Sequence, residues 1–396
     1  MQTIEATVSC PIYDSFRVQQ IAGMFDVELS AKATESFRVE IPELNDPWKI
    51  GLIVGPSGSG KSTIARHAFG EKLYEHPAWP QDRAVVDCFG QLPTKQITGL
   101  FTAVGFSSPP SWVKPYHVLS RGEQFRCDLA RALAGSMNQT AGNQTAGGPG
   151  DQKSIHLEKS VSSASGLFEP GPLEPLVVFD EFTSVVDRTV ARIGSAAISR
   201  AIRSGNIPCR FVAVTCHYDV TEWLAPDWIA DMASGTCDWR CLRRPSISLE
   251  IFRCRYTAWR MFARHHYLSN SLSKMARCFV ALYDGVPVAF CATLPIIGRR
   301  GHWRISRIVT LPDYQGVGIG MNVAEAVAQI HRDQGHRLNV TASHPSLIGH
   351  CRRSPLWRAV SIRKTGSAKT ERFIHNYHGS AGRAVVSFEY LGEKKR

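Results

Sequence analysis

Residues 55–63 read Gly55-Pro56-Ser57-Gly58-Ser59-Gly60-Lys61-Ser62-Thr63, a fit to G-x-x-x-x-G-K-[ST]. Glycines at that spacing let backbone N–H groups close around phosphates, Lys61 can reach the β- and γ-phosphates, and the Ser62 hydroxyl can ligate Mg²⁺. The chemistry is binding of a nucleoside triphosphate. Farther along, the apolar run Leu176-Val177-Val178-Phe179 ends in Asp180-Glu181. After a P-loop, two such acids divide the work: Asp180 holds Mg²⁺ through water and Glu181 polarises the attacking water. His217 closes another apolar run, Phe211–Cys216, where it can contact the γ-phosphate. A second glycine-rich segment, Gln315-Gly316-Val317-Gly318-Ile319-Gly320, is suited to a pyrophosphate, held by the turn's N–H groups and by the N-terminus of a following helix. Acid/base candidates near that segment are His350 and the cluster Arg264-His265-His266-Tyr267. The cluster is equally readable as a helix end packed on the core.

These residues need elements to hold them. Lys49–Val54 is short and apolar, suited to a buried strand, and Ile64–Phe69 continues the P-loop as a helix. Phe125–Leu133 reads as a helix. Arg277–Tyr283 and Val286–Leu294 are β-rich runs around Asp284-Gly285, a hairpin signal. Trp303–Leu311 follows as a strand, Met321–His331 as a helix and Arg337–Ala342 as the next strand. Between Phe125–Leu133 and Leu176, residues 136–172 carry a tandem repeat, Asn138-Gln139-Thr140-Ala141-Gly142 and Asn143-Gln144-Thr145-Ala146-Gly147. Rich in Gly, Ser and Pro, this stretch buries too little apolar surface to fold alone and is expected to be a disordered insertion.

The chain has 396 residues, 43% of them hydrophobic, room for two or three cores. No stretch reaches 18 uncharged apolar residues, so no membrane span is expected. Met1-Gln2-Thr3-Ile4-Glu5 lacks the basic start and apolar run of a secretion signal. Eleven cysteines without a C-x-x-C suit reduced thiols in a cytoplasm. Cys237, Cys241 and Cys254 are the nearest approach to a ligand cluster, and their spacing matches no standard zinc pattern. The net charge of +12 is uneven: residues 246–396 hold 23 Lys/Arg against 8 Asp/Glu, a net of +15, leaving −3 for residues 1–245. Two domains, 1–245 and 246–396, are expected, the second meeting a polyanion such as nucleic acid.

With Leu119-Ser120-Arg121-Gly122-Glu123-Gln124 added to the P-loop, Asp180-Glu181, Ser184-Val185-Val186-Asp187 and His217, the first half resembles the ABC-type ATPases over about residues 20–235. The signature departs from the common L-S-G-G-Q at Arg121 and Glu123. Its L-S-x-G-E form is similar to soluble ABC proteins of translation or DNA repair. The resemblance implies ATP and Mg²⁺ as cofactors, Gln91 as the Q-loop ligand of Mg²⁺ (Gln96 being the alternative), and Ser120 and Gly122 completing the ATP site of a second copy. A homodimer with no membrane partner follows from it.

The second half, about 248–392, resembles the GNAT acyltransferases in its Leu-Pro-x-Tyr-Gln-Gly-x-Gly-Ile-Gly phrase. That resemblance implies acetyl-CoA or another acyl-CoA bound at Val309 and at Gln315–Gly320. The Tyr that many such domains use as general acid is missing from Ser346–Cys351, so the acid/base is open between His350 and His266 with Tyr267. The order His-Tyr-x-Ser, hairpin, glycine turn is also similar to phage Mom-type proteins, which modify adenine in DNA.

The expected fold class is α/β, a P-loop ABC-type ATPase domain followed by a GNAT-like domain. The expected function is that of a cytoplasmic ATPase coupled to N-acyl transfer onto an amine of a nucleic acid or protein. The alternatives are Mom-like DNA modification, and a non-catalytic GNAT-fold clamp on a remodelling ATPase.

Overall fold

The computed structural model describes residues 1–27, 29, 32–142, 174–239, 245–266, 271–364 and 384–392. They group into two compact units. One comprises Met1–Pro77, Ala132–Val185 and Ile202–Arg243; the other comprises Ala78–Arg131, Val186–Ala201 and Arg244–Arg396.

In the first unit β1 (Gln2–Pro11) pairs antiparallel with β2 (Lys32–Ile41) along its whole length. The main sheet is built from β3 (Ile50–Val54), β4 (Leu73–Tyr74), β5 (Leu176–Phe179), β6 (Arg210–Thr215), β7 (Trp228–Asp231) and β8 (Thr236–Trp239), in the order β4-β5-β6-β3-β7-β8. All neighbours are parallel except β8, antiparallel to β7. Every residue of β3 is buried, the pattern of a parallel strand covered on both faces. Gly51 is required there: a Cβ would fall 2.1 Å from the Trp228 indole. Trp48 meets Trp228 edge-on at 5.5 Å, and both join Ile53, Ile64, Val178 and Val212 in one core.

In the second unit β9 (Glu250–Cys254), β10 (Arg277–Tyr283), β11 (Val286–Pro295), β12 (His302–Thr310), β13 (Arg337–Ala342), β14 (Trp357–Lys364) and β15 (Ala384–Tyr390) form one sheet, ordered β14-β15-β13-β12-β11-β10-β9. The β10–β11 turn is the expected Asp284-Gly285, with φ of 54° and 76° at the two positions, as a two-residue turn with both positions left-handed demands. Only β12 and β13 are parallel, joined by the Ile319–Asp333 helix. They pair at His302–Arg304 against Arg337–Asn339. Beyond those residues β12 stays bonded to β11 as far as Thr310 and carries no described pairing to β13, so the sheet is split beside Ile305–Thr310. Val323, Val327 and Ala328 of the helix press on Ala289, Ile305 and Leu338 to form this core.

The same unit contains the Thr94–Ala103 helix and the opening of the Arg121–Gly142 helix. Phe101 meets Phe89 at 5.0 Å and Phe106 at 5.1 Å. The Arg121–Gly142 helix continues through residues 136–142, so the first copy of the repeat is helical rather than irregular as expected. The second copy and the rest of the insertion lie outside the described residues.

Candidate functional sites

The P-loop follows β3 and opens the Lys61–Phe69 helix. Gly58 and Gly60 adopt φ of 83° and 79°, accessible to glycine at little cost. Gly60 is needed twice over, because a Cβ there would fall 2.4 Å from the Phe37 ring. Lys61 Nζ donates to the Pro56 carbonyl at 2.6 Å, curling back over its own loop. Ser62 and Thr63 fall in the first turn, where the N–H groups have no intrahelical acceptor and the helix dipole favours an anion. The loop fits a polyphosphate.

β6 lies between β3 and β5. Because the three are parallel, their C-terminal ends share one edge of the sheet, and His217 leaves that edge between the P-loop and Asp180-Glu181. Glu181 donates its N–H to Asp180 Oδ1 at 2.8 Å. His76 Nε2 lies 3.3 Å from the Asp180 carbonyl. Glu181 and Thr183 sit at φ of 50° and 68°, left-handed conformations that cost on the order of 1–3 kcal/mol each and cluster at functional sites. Thr183 Oγ1 approaches His217 Nδ1 at 3.4 Å. An Asp carboxylate and a Ser62 hydroxyl on this edge are the hard oxygen donors that Mg²⁺ takes alongside phosphate.

The signature belongs to the second unit. Ser120 caps the Arg121–Gly142 helix: Glu123 N donates to Ser120 Oγ at 3.3 Å while Ser120 N donates to Glu123 Oε2 at 3.0 Å. This is a capping box, which gives Glu123 a structural role at the position where the common signature carries glutamine. Ser111 Oγ adds a bond to the other Glu123 oxygen at 2.7 Å. Gly122 packs against Val190, whose methyls would stand 3.4 Å from a Cβ. Gln91 is exposed in the turn after the Val85–Cys88 3₁₀ helix, next to Gly90 at φ 60°.

The second glycine turn follows β12. Gly316 and Gly318 adopt φ of 91° and 94°, and Gly318 caps the Ile319–Asp333 helix. Gly320 abuts β12, where a Cβ would meet Thr310 Oγ1 at 2.9 Å. Val309 is buried on the split side of the sheet. Gln315 is fixed at both ends: Oε1 accepts from Ser107 N at 2.9 Å and Nε2 donates to Thr310 O at 2.9 Å. Around the turn stand residues that sequence reasoning did not connect to it. A Cβ on Gly316 would lie 2.7 Å from Ala197 Cβ and 2.8 Å from Gly105 Cα, and one on Gly318 would lie 2.6 Å from Arg200 Nη1. Arg126 of the signature helix is buried, with Nη2 3.3 Å from the Asp313 carbonyl. Burial pulls the Arg126 pKa down and pushes that of Asp313 up, in each case against the other's charge. Desolvation outweighs their attraction, as is usual for buried charges.

A glycine turn at a helix N-terminus offers backbone N–H groups suited to an anion, and Arg200 adds positive charge. The face of Gly316 is already in contact with Gly105 and Ala197.

The acid/base candidates fall in different settings. His350, on the Pro345–Arg353 helix, bonds through Nε2 to Glu325 Oε1 at 2.8 Å. Trp357 Nε1 donates to the same oxygen at 3.0 Å. Burial raises the Glu325 pKa, and the bonds from His350 and Trp357 more than reverse this, leaving it below the usual range. Glu325 went unnoticed in the sequence because only helix packing brings it to His350. His266 is buried and meets Trp259 edge-on at 5.7 Å. Burial, aided by Arg307, lowers its pKa to about 4, so it is neutral at pH 7. Tyr267 lies outside the described residues, as does Cys241. The other ten cysteines are free thiols.

Residues 245–349 match the family described as Acetyltransferase (GNAT) family. A comparison with curated proteins found no match. Among solved structures the chain is similar to an IAA acetyltransferase from Bacillus cereus, at 18% identity over 36% of this chain and 99% of that one, with a TM-score of 0.30. It is similar to a Bacillus subtilis acetyltransferase in complex with CoA, at 12% identity over 37% of this chain and 98% of that one, TM-score 0.28. It is also similar to a dimeric ATP-binding cassette in a post-hydrolysis state bound to ADP and Pi, at 13% identity over 59% of this chain and 96% of that one, TM-score 0.36. The fold class is α/β, and the span that matches the GNAT family model lies within the second unit. Among the described residues no helix is long and apolar enough to cross a membrane.

Proposed function

We propose that this protein is an ABC-type ATPase that drives or gates a GNAT-like N-acyltransferase acting on an amine of a nucleic acid or a protein. The observation that carries the reading is the presence of two separate glycine-rich turns, each opening a helix. One is backed by a parallel sheet with an acid-tipped strand, and the other lies inside the span that matches the GNAT family.

In the ATPase, Gly55–Thr63 hold the triphosphate, with Ser62, Asp180 and Gln91 around Mg²⁺. Glu181 acts as base toward the attacking water and His217 contacts the γ-phosphate. Ser120 and Gly122 complete the site of a second copy, which makes the working form a homodimer. In this reading the ATPase is residues 1–245 and the transferase residues 246–396, within a cytoplasmic protein.

In the transferase, the Gln315–Gly320 turn and Val309 hold acyl-CoA, which supplies an activated thioester carbonyl. The chain's part would be to orient that group in the opening beside Ile305–Thr310 and to accept the proton an amine loses as its nitrogen bonds to the acyl carbon, while the C–S bond breaks and CoA leaves as the thiolate, which takes up a proton to become the free thiol. With His350 Nε2 turned to Glu325, Nδ1 is the nitrogen left for that proton. His350 is preferred to His266 as base because a group with a pKa near 4 accepts a proton poorly at pH 7. A non-catalytic clamp is the second reading, favoured by the contact of Gly105 and Ala197 with Gly316. Mom-like modification rests on His266 and Tyr267 and comes third.

The test is acetyl-CoA titration of the full chain by calorimetry, with mass spectrometry of DNA, RNA and protein from cells with and without it. Micromolar binding with an acyl mass on one macromolecule supports transfer. No binding and no mass change refute it in favour of the clamp, and an adenine adduct without acetyl-CoA binding favours the Mom-like reading.

A further inference from the structure

The turn between β11 and β12 makes a basic groove that no step of the proposed reactions uses. The groove, of about 630 Å³, is lined by Arg277, Arg299, Arg300, His302, Trp303 and His336, with small and apolar residues completing it and no Asp or Glu among its described lining. Its shape is held by the chain itself. Ile296 N donates to His302 O at 2.8 Å, Arg299 N to Ile296 O at 3.1 Å and Arg337 N to Gly301 O at 2.9 Å. Gly298 and Gly301 take φ of 78° and 72° to close this loop.

The cations are arranged differently from a solvated charge run. Arg277 stacks on Trp303, its guanidinium carbon 4.1 Å from the ring centroid, and is oriented by Gln334 Oε1 at 2.8 Å. Stacking of this kind leaves the guanidinium's in-plane donors for a phosphate. His336 lies at 5.8 Å from the same ring. Arg299 and Arg300 are exposed, and neither forms an ion pair among the described residues. Elsewhere in the same sheet basic residues do pair: Arg337 and Arg358 share Glu389.

We infer that this groove is a binding site for the sugar-phosphate backbone of a nucleic acid, read by charge and not by base sequence. It stands apart from the acyl-CoA turn. The groove is at the start of β12 and the turn follows its end. Eight residue steps at roughly 3.3 Å give about 26 Å between them. That span corresponds to roughly eight steps along a nucleic-acid strand at 3.4 Å each. The groove anchors the polymer while another part of it reaches the chemistry. The inference deepens the nucleic-acid arm of the proposed function and rests on that reading only for what the anchored strand is used for.

The test uses the full chain, a fluorescein-labelled 20-nucleotide single-stranded DNA, an RNA of the same length and phosphatidylserine vesicles, with binding followed against salt. Arg299→Glu/Arg300→Glu is expected to weaken DNA and RNA binding at least tenfold at 100 mM salt. The milder Arg299→Ala/Arg300→Ala should lower the log–log salt slope by about 1.4, two contacts at roughly 0.7 each. Arg363→Glu/Lys364→Glu, on β14, is the control for net charge and should change affinity less than threefold. Acetyl-CoA affinity should be unchanged in all variants, which separates failure of the groove from failure of the acyl-CoA reading. The proposal is overturned if the groove variants bind as wild type, if the β14 control loses as much, or if vesicles and not oligonucleotides show the loss. Thermal melts matching wild type show that the loop variants remain folded.

Discussion

Gly316→Ala tests whether the glycine turn is packed on the segments around Gly105 and Ala197 in solution. Two costs add. The first is conformational: φ of 91° is strained for any residue with a Cβ, at about 1–2 kcal/mol. The second is steric. The new methyl would stand 2.7 Å from Ala197 Cβ and 2.8 Å from Gly105 Cα. Neither neighbour is the end of a flexible side chain, so backbone or helix must move, at about 1–3 kcal/mol. Gly285→Ala isolates the first cost, since its φ is 76° and nothing lies within 4 Å of its Cβ position. The difference between the two variants is the packing cost. For a unit of this size, at about 2–4 °C per kcal/mol, it amounts to ~2–12 °C in melting temperature. Ala197→Gly, costing about 1 kcal/mol alone in a helix, should cost less when placed on Gly316→Ala, with a coupling of at least 0.5 kcal/mol. The assay is thermal melting of all four variants followed by tryptophan fluorescence. Equal melting of Gly316→Ala and Gly285→Ala, with strict additivity of Ala197→Gly, would refute the packing and return the turn's face to the solvent.

The other expectations concern the two chemistries and the sheet. Glu181→Gln should lower ATP hydrolysis at least 10²-fold, the lower end of what a general base contributes, and should accumulate an ATP-bound dimer by size exclusion; normal turnover would exclude Glu181 as the base. His350→Ala should lower kcat for acetyl-CoA-dependent release of CoA thiol by about 10²–10⁴-fold with acetyl-CoA affinity retained. Glu325→Gln should lower it less, through loss of the bond that orients His350, and an unchanged kcat in both variants would remove the pair from the mechanism. Glu389, bonded by Arg337 against the cost of its burial and then by Arg358, has its pKa lowered to about 2. A depressed carboxyl pKa stabilises the fold above the unfolded value near 4.3 and loses that contribution as pH falls toward 2. Glu389→Gln should therefore flatten the acid side of the melting profile between pH 4.5 and 2; an equally steep profile would assign acid lability to other groups.

What was legible in the sequence was whatever the chain keeps local. Gly58, Gly60 and Lys61 announce a strand–turn–helix because the three pieces that make it are contiguous. Asp284-Gly285 specifies its hairpin for the same reason, and Gln315–Gly320 its helix cap. Tertiary packing was not legible. Glu325 and His350 lie 25 residues apart and meet only because the Ile319–Asp333 and Pro345–Arg353 helices present them to each other. Arg299 and Arg300 look like surface charge until β11, β12 and β13 fold them beside Arg277, Trp303 and His336. The helical start of the 136–172 segment was missed because a tandem polar repeat carries no apolar stripe, and it forms as a continuation of the buried signature helix.

The sequence alone determined that there are two glycine-rich turns, each opening a helix, in a fixed order. Each is a short stretch whose glycines and following helix define backbone geometry without help from distant residues. Only the tertiary structure decided what surrounds them. Gly105, Ala197 and Arg200 reach the second turn from more than a hundred residues away. No local rule specifies such contacts, because close packing selects partners by shape and volume and leaves no motif in either segment.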